Sequence, residues 1–133
     1  MKSGTMSVST RRSMELIDIT HQVYAALTDA AVRDGVCILC NPHTTAGLTI
    51  NEGADPDVKS DIIDGFRNIV PLAHPFKHLE GNSPAHIMAS LMGSSLTIAI
   101  LDGAPQLGTW QKIFFCEFDG PRTRKVHYHF IEG

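Results

Sequence analysis

The sequence has 133 residues, 43% hydrophobic and 19% charged, so it can build the core of one domain and lacks the composition of a disordered chain. Its net charge of −3, without a lysine- or arginine-rich run, excludes a nucleic-acid surface but not a small anionic substrate. No apolar run approaches the roughly 20 residues of a membrane span, and residues 1–14 lack the apolar core of a signal peptide, so we expect a cytoplasmic protein.

The first part of the chain has the pattern of strands followed by a helix. We expect residues 1–6 to be a disordered tail, and residues 7–13 and 14–19 to form a pair of strands. Thr20 is placed to cap a helix, and Gly35 is placed to end it in a left-handed conformation. The inner face of this helix is predicted from its apolar residues: Val23, Leu27, Ala30 and Ala31.

An apolar run over residues 36–40 is too short for a helix and predicts a buried strand, with a second short strand at residues 48–50. Cys37 and Cys40 form a C-x-x-C motif inside this run, not in the turn that redox and zinc motifs use. We therefore interpret them, together with Cys116, as buried free thiols.

Two more helices begin with the same signal, a capping residue followed by proline, at Asp55-Pro56 and Ser83-Pro84. Proline suits the first helical position because its missing N–H would have no partner there. Pro71 and Gly93 are predicted to end these helices. Apolar residues at helical spacing predict their inner faces: Val58, Ile62, Phe66 and Ile69 in one, and Ile87, Leu91 and Met92 in the other.

The remainder of the chain has β patterning. Residues 95–101, 109–118 and 125–131 are predicted strands, and Asp102-Gly103 is a strong hairpin signal. Alternating side chains in the last strand indicate that one of its faces is partly exposed. Together these elements predict an α+β fold, a single domain over residues 1–133 with three helices and a mixed or antiparallel sheet.

Three of the seven histidines lie where binding sites are usually built. His43 directly follows the buried strand, His78 lies in a loop, and His86 lies in the first turn of the third helix. His78 and His86 can converge at this spacing, and a third histidine would complete a zinc site with an open position. The spacing is not specific, so ordinary hydrogen-bonded histidines remain the alternative. We prefer that alternative for the other four: His21, His74, His127 and His129.

Acidic residues cluster near the same positions. Glu52 and Asp55 follow His43, and Glu80 lies between His78 and His86. Asp55 has a competing role as a helix cap, whereas no capping role is apparent for Glu52. Glu52 is therefore the better candidate for orienting a histidine or for general acid–base catalysis.

Groups that can bind an anion are also present. The helix starts at Asp55 and Ser83 offer free backbone N–H groups, and a turn brings Arg122 and Arg124 together. Guanidinium groups match phosphate oxygens, although a solvated turn is the alternative reading. Trp110, the only tryptophan, either packs in the core or lines a pocket for an aromatic ring.

Three long segments together resemble the YjbQ family, whose members are called secondary thiamine-phosphate synthases or proteins of unknown function. The segments are HTTAGLTINEGADPDV, HLEGNSPAHIMASLMGSS and LGTWQKIFFCEFDGPRTRKV, and the resemblance runs from about Val8 to Val126. The sequence departs from the family pattern in AHPFK, where a tyrosine is expected two residues before His78, and in the alternating histidines of VHYHF.

The resemblance implies a homotrimer with a pocket between subunits, lined by His43, His78 and His86 and holding a divalent metal. Three histidines suit zinc, whereas a diphosphate substrate favours magnesium. Further residues fall at motif positions: Glu52, Asp55, Asn82, Trp110, Gln111, Glu117 and Arg122. We assign catalytic roles to Glu52, Asp55 and Arg122, and substrate binding to Asn82, Ser83, Trp110 and Gln111.

The activity that the resemblance implies is a weak transferase reaction of the thiamine-phosphate synthase type. It joins hydroxymethylpyrimidine diphosphate to a thiazole phosphate and releases pyrophosphate. Two alternatives stay open. One is a zinc-dependent hydrolase with Glu52 or Glu80 as proton carrier. The other is a trimer that binds a metal or small ligand without turnover. The expected partners are copies of the chain and a small phosphorylated substrate, with no nucleic acid or membrane.

Overall fold

The computed structural model describes residues 1–133 and arranges three helices and eight strands in three layers. A five-stranded sheet packs against a three-stranded sheet, and two of the helices cover the outer face of the smaller sheet. Every pair of neighbouring strands is antiparallel. The predicted α+β fold with three helices is therefore confirmed, with two packed sheets.

The strands are β1 (Lys2–Ser9), β2 (Glu15–Asp18), β3 (Gly35–Cys40), β4 (Ala46–Glu52), β5 (Ser95–Leu101), β6 (Ala104–Pro105), β7 (Gln111–Glu117) and β8 (Thr123–Glu132). The helices are α1 (Thr20–Ala30), α2 (Pro56–Ile69) and α3 (Ser83–Met92). The larger sheet has the order β1-β8-β3-β5-β6, and the smaller has the order β2-β7-β4. None of the helices has the length and apolar character needed to cross a membrane.

The N-terminal residues form an edge strand, so the disordered tail predicted for residues 1–6 is wrong. β1 pairs with β8 from Lys2 opposite Phe130 to Ser9 opposite Thr123. Alternation places Met6 and Val8 in the core while their polar neighbours face outward. β1 and β2 belong to different sheets, so the predicted pairing of residues 7–13 with 14–19 is also wrong.

The main core lies between the two sheets, and α1 contributes Val23 and Leu27 to it. Thr20 does not cap this helix, because its hydroxyl accepts a hydrogen bond from the Ile113 N–H at 2.9 Å. The helix ends at Ala31, which itself takes the left-handed conformation (φ 54°) predicted for Gly35. Tertiary contacts thus override the local capping signals at both ends of α1.

The second core lies between the smaller sheet and the two other helices. Asp55 caps α2 as predicted, since its carboxylate accepts the Asp57 N–H at 2.9 Å. The predicted inner faces are only partly right, because Ile69 and Leu91 are exposed. The helix residues buried in this core are Ile63, Ala85, Met88 and Ala89. The most buried positions of each helix are therefore displaced from the predicted faces, whose residues Ile62, Phe66, Ile87 and Met92 are only partly buried.

The cysteines are free thiols, as predicted. Cys37 and Cys116 are buried, and burial raises the pKa of the Cys37 thiol to about 12. Cys40 is half-buried, and it lies three residues from Cys37 along a strand, where side chains alternate between faces. The two cysteines of the C-x-x-C motif thus lie on opposite faces of one strand, as packed side chains and not as a paired redox or metal motif.

A buried ion pair joins the two sheets at one edge. Glu117, at the end of β7, is 0% exposed, and Arg124, near the start of β8, is 2% exposed. The Arg124 Nε donates to Glu117 at 2.9 Å, and its Nη2 donates to Glu117 and to the Thr45 hydroxyl, the latter at 2.9 Å. The Thr10 hydroxyl donates to the same carboxylate at 2.8 Å. Both carboxylate oxygens of Glu117 and the Nε and Nη2 of Arg124 therefore have partners.

Burial by itself would raise the pKa of Glu117, but the hydrogen bonds from Arg124, the Asp119 N–H and Thr10 outweigh it and hold the pKa below its ordinary value. Because the folded state lowers this pKa, the carboxylate contributes stability above the unfolded pKa of about 4.3. That contribution is lost as the pH falls towards the folded value.

Replacing Arg124 by methionine should lower the free energy of unfolding by about 3–5 kcal/mol, because it leaves the Glu117 carboxylate buried without its cation. Urea denaturation at neutral pH measures this. Arg33→Met is the matched control, since it breaks an exposed ion pair with Asp102 and should cost less than about 1 kcal/mol. Equal losses in the two variants would contradict the role given to the buried pair.

Candidate active site

His43 lies in the connection between β3 and β4, which folds around the buried side chain of Asn41. The Asn41 side chain accepts the His43 N–H at 3.0 Å and donates to the Ala46 carbonyl at 2.7 Å. The imidazole reaches β8, where its Nε2 accepts the Lys125 N–H at 2.8 Å. Both the backbone and the ring of His43 are therefore held in place.

This hydrogen bond determines which nitrogen of His43 carries the proton. A neutral imidazole accepts at one nitrogen and donates at the other, so acceptance at Nε2 places the proton on Nδ1. Burial lowers the pKa of His43, and the Arg124 cation lowers it further, against an opposing effect of Glu117. At neutral pH, His43 is thus a neutral N–H donor, and Nδ1 has no hydrogen-bond partner within the chain.

His86 lies between two cavities that also contain the other predicted histidines. It shares a cavity of about 400 Å³ with His43, Thr44 and Ser90. It shares another, of about 620 Å³, with His78, whose ring centroid lies 5.4 Å away at an angle of 86°. The structure therefore brings all three predicted histidines to adjoining cavities, with His86 common to both.

The three histidines do not form a three-ligand metal centre within one chain. No group of three His, Cys, Asp or Glu side chains is placed to share a metal ion. The lone pair on His43 Nε2 is already used by the Lys125 N–H, and its other nitrogen carries the proton. The residues of a single chain therefore do not fit the zinc site expected from the resemblance.

A polar network lies next to the buried ion pair, in the turn between β7 and β8. Asp119 is held by its own N–H, which donates to Glu117 at 3.0 Å. Its carboxylate accepts from the Asn82 amide at 2.9 Å and from the Arg122 guanidinium at 3.0 Å. The Asn82 Oδ1 is buried and has no partner. Two substrate-site candidates, Asn82 and Arg122, are thus tied together by Asp119, which the sequence analysis missed.

The predicted pairing of Arg122 with Arg124 as a phosphate-binding fork is wrong. Arg124 is buried against Glu117 and Thr45 and cannot reach a ligand. Arg122 stays half-exposed, and it is the one guanidinium of this turn available to an anion. Arg122 precedes β8 and lies in the turn, so it does not share the core-facing position of Arg124 on the strand.

The remaining predicted residues lie at the other end of β4 and β7. Glu52 pairs with Gln111 across the strands, and the Gly53 N–H donates to the Trp110 carbonyl at 2.8 Å. Trp110 is 63% exposed, which excludes the core alternative. Glu52 also has a structural role that the sequence analysis missed, since its carboxylate accepts the Ala54 N–H at 2.6 Å in the turn before α2.

These two groups of residues are well separated within one chain. β4 runs seven residues, from Ala46 beside the histidines to Glu52, and a strand of that length spans about 20 Å. Glu52, Asp55, Trp110 and Gln111 therefore cannot contact a small ligand held by His43 and His86 of the same chain.

A family model described as UPF0047 protein YjbQ-like matches residues 4–133. The chain belongs to the YjbQ family. It is 52% identical to a UPF0047 protein of Methanocaldococcus jannaschii over 124 residues, covering 93% of this chain and 90% of that protein. It is 47% identical to the UPF0047 protein YugU of Bacillus subtilis, over 92% of this chain and 94% of that one.

Solved structures of YjbQ-like proteins have the same fold. A YjbQ/UPF0047 family protein from Clostridium acetobutylicum, 51% identical, superposes with a TM-score of 0.93 over 96% of this chain and 98% of that one. A hypothetical protein from Aeropyrum pernix, 34% identical, superposes with a TM-score of 0.95 over 100% of both chains. Family membership and fold are thus shown, and the reaction must be argued from the site.

The hydrogen bond to Lys125 predicts that His43 of this YjbQ protein carries its proton on Nδ1 and titrates below the ordinary histidine pKa of about 6.5. Long-range proton–nitrogen correlation spectra of the imidazole, recorded between pH 5 and 8, measure both properties. A His43→Gln sample assigns the signals. An Nε2-protonated ring, or a pKa at or above the ordinary value, would contradict the donor role.

Proposed function

We propose that this YjbQ-family protein is a transferase of the thiamine-phosphate synthase type. The thiazole nitrogen would attack the methylene carbon of hydroxymethylpyrimidine diphosphate, forming a C–N bond as the C–O bond to the diphosphate breaks. Pyrophosphate leaves with the bonding electrons. The observation that carries this proposal is the fixed N–H donor of His43, without a partner in the chain, beside the cavity it shares with His86.

The chemistry requires stabilisation of the negative charge that develops on the departing diphosphate. Preorganised donors at that position lower the barrier without any proton transfer from the nucleophile. His43 Nδ1–H and the half-exposed Arg122 guanidinium supply such donors. The thiazole nitrogen already has its lone pair, so the protein positions the substrates and needs no strong base.

The donor role of His43 also removes a conflict in the sequence-based prediction. Three imidazoles suit zinc, whereas diphosphate transfer usually uses magnesium held by carboxylates and water. An imidazole that acts as a hydrogen-bond donor fits a diphosphate directly. This argues for the transferase over the hydrolase with a zinc-bound water.

We further propose that the site is completed between subunits of a homotrimer. Trp110 and Gln111 are about 20 Å from the histidines along β4 and β7, yet exposed Trp110 is suited to stack on a pyrimidine ring. A second copy can bring its tryptophan end to the histidine end of the first, because cyclic symmetry places different surfaces in contact. The three unpaired cysteines suit a cytoplasmic location.

Removing the donor should impair catalysis. His43→Phe keeps a ring of similar size, and loss of one oxyanion-stabilising donor typically lowers kcat about 100-fold. Steady-state release of pyrophosphate, with both substrates present, measures the effect, and His86→Asn should also lower kcat. His21→Asn is the control, because His21 is exposed on α1 and lines neither cavity. Parental turnover in His43→Phe, or no turnover by the parent protein, would refute the proposal.

Mixing two inactive variants tests the shared site. Trp110→Ala and His43→Phe should each be inactive alone, but mixed trimers would contain interfaces with an intact tryptophan and an intact histidine. Random assembly of equal amounts should restore about a quarter of parental activity. Light scattering should show three copies. If the co-expressed mixture stays as inactive as the separate variants, the tryptophan and histidine ends do not meet across an interface.

A further inference from the structure

A cavity larger than either of those beside the histidines lies away from them, between α2 and the connection from β1 to β2. Its volume is about 690 Å³, within the range of small-molecule sites. It shares no lining residue with the two histidine cavities. Four cationic side chains line it: Arg11, Arg12, Lys59 and Arg67. These are four of the 11 lysines and arginines in a chain whose net charge is −3.

None of these four side chains has an ion-pair or hydrogen-bond partner in the chain. Partners are available by spacing, since Asp55 precedes Lys59 by four residues and Asp64 precedes Arg67 by three. Asp55 caps the helix instead, and Glu15 accepts the backbone N–H groups of Arg11 and Arg12. Glu15 and Asp64 also line the cavity, but neither forms an ion pair with the four cations, which leave an excess of positive charge in the lining.

Positively charged side chains lie on both of the opposing walls of the cavity. Arg11 and Arg12 belong to the connection after β1, whereas Lys59 and Arg67 lie on α2, about 12 Å apart along its axis at 1.5 Å per residue. That separation suits a ligand with charge at more than one point.

The floor of the cavity differs from its rim. Leu16 and Ile63 are buried beneath the cationic side chains, and Met14 is half-buried beside them. The hydroxyls of Ser13 and Ser60 line the same space and have no hydrogen-bond partner in the chain. The cavity thus combines guanidinium and hydroxyl donors at its rim with a small apolar floor.

We propose that this cavity binds a diphosphate group, either as free pyrophosphate or as part of a small organic diphosphate of nucleotide size. Two phosphates can engage cations on both walls at once, and guanidinium forks match their oxygens. The apolar floor would receive the organic part of the second kind of ligand. This site is separate from the proposed catalytic cavity and does not depend on the transferase assignment.

Isothermal titration calorimetry with pyrophosphate, ADP and AMP tests the inference. We expect pyrophosphate and ADP to bind at least about tenfold more tightly than AMP, which has one phosphate. Tighter binding of ADP than pyrophosphate would identify the organic diphosphate as the ligand, and the reverse would identify the free anion. The double variant Lys59→Gln/Arg67→Gln should lose at least about tenfold in affinity.

Two controls separate this site from general electrostatics and from the histidine cavities. Lys2→Gln/Arg33→Gln also removes two positive charges, but from exposed ion pairs elsewhere on the surface, and it should leave the affinity unchanged. Heat that persists in His86→Asn and is lost in Lys59→Gln/Arg67→Gln belongs to this cavity, whereas heat that only His86→Asn removes belongs to the proposed catalytic cavity. The inference fails if the parent shows no heat with pyrophosphate or ADP at millimolar concentration, if both double variants lose affinity equally, or if His86→Asn abolishes binding.

Discussion

The buried ion pair between Glu117 and Arg124 is the constraint on which the rest of the structure depends. It lies where β7 ends and β8 begins, and it is completed by Thr10, which follows β1, and Thr45, which precedes β4. Desolvating two charges is offset only when their geometry and remaining hydrogen bonds are all satisfied. Four segments from both sheets must therefore meet at one place. A slip in the register of β7 or β8 would leave a buried charge without its partner.

The candidate site is built onto this ion pair. Asp119 is anchored by its N–H to Glu117, and it then orients Asn82 and Arg122. His43 accepts a backbone N–H from the residue after Arg124, and the nearby cation helps to keep its ring neutral. The same pair that stabilises the fold thus sets the charge state and direction of groups around the cavity. The stability of the fold and the geometry of the site are therefore coupled, and a substitution in the ion pair would change both.

The features that could be predicted from the sequence are those that residues adjacent in the chain determine. The Asp55-Pro56 helix start and the Asp102-Gly103 turn were recognised because their residues favour those conformations, and both turn residues do have positive φ. The pairing of β1 with β8 was missed because the two strands lie at opposite ends of the chain. The hydrogen bond from the Lys125 N–H to His43 was missed for the same reason, because 82 residues separate the two. Histidine positions were visible in the sequence, whereas the hydrogen bond that assigns the His43 proton was not.

Closeness in sequence was also misleading for the site itself. His43, Glu52 and Asp55 lie within one motif, but an extended strand separates the first from the other two by about 20 Å. A helix of the same seven residues would span only about 10 Å. A motif that spans a strand therefore reaches two surfaces rather than one. Trp110, whose side chain is exposed just before β7, lies at the surface opposite to the histidines, and this separation is the reason why the proposed site takes residues from two copies of the chain.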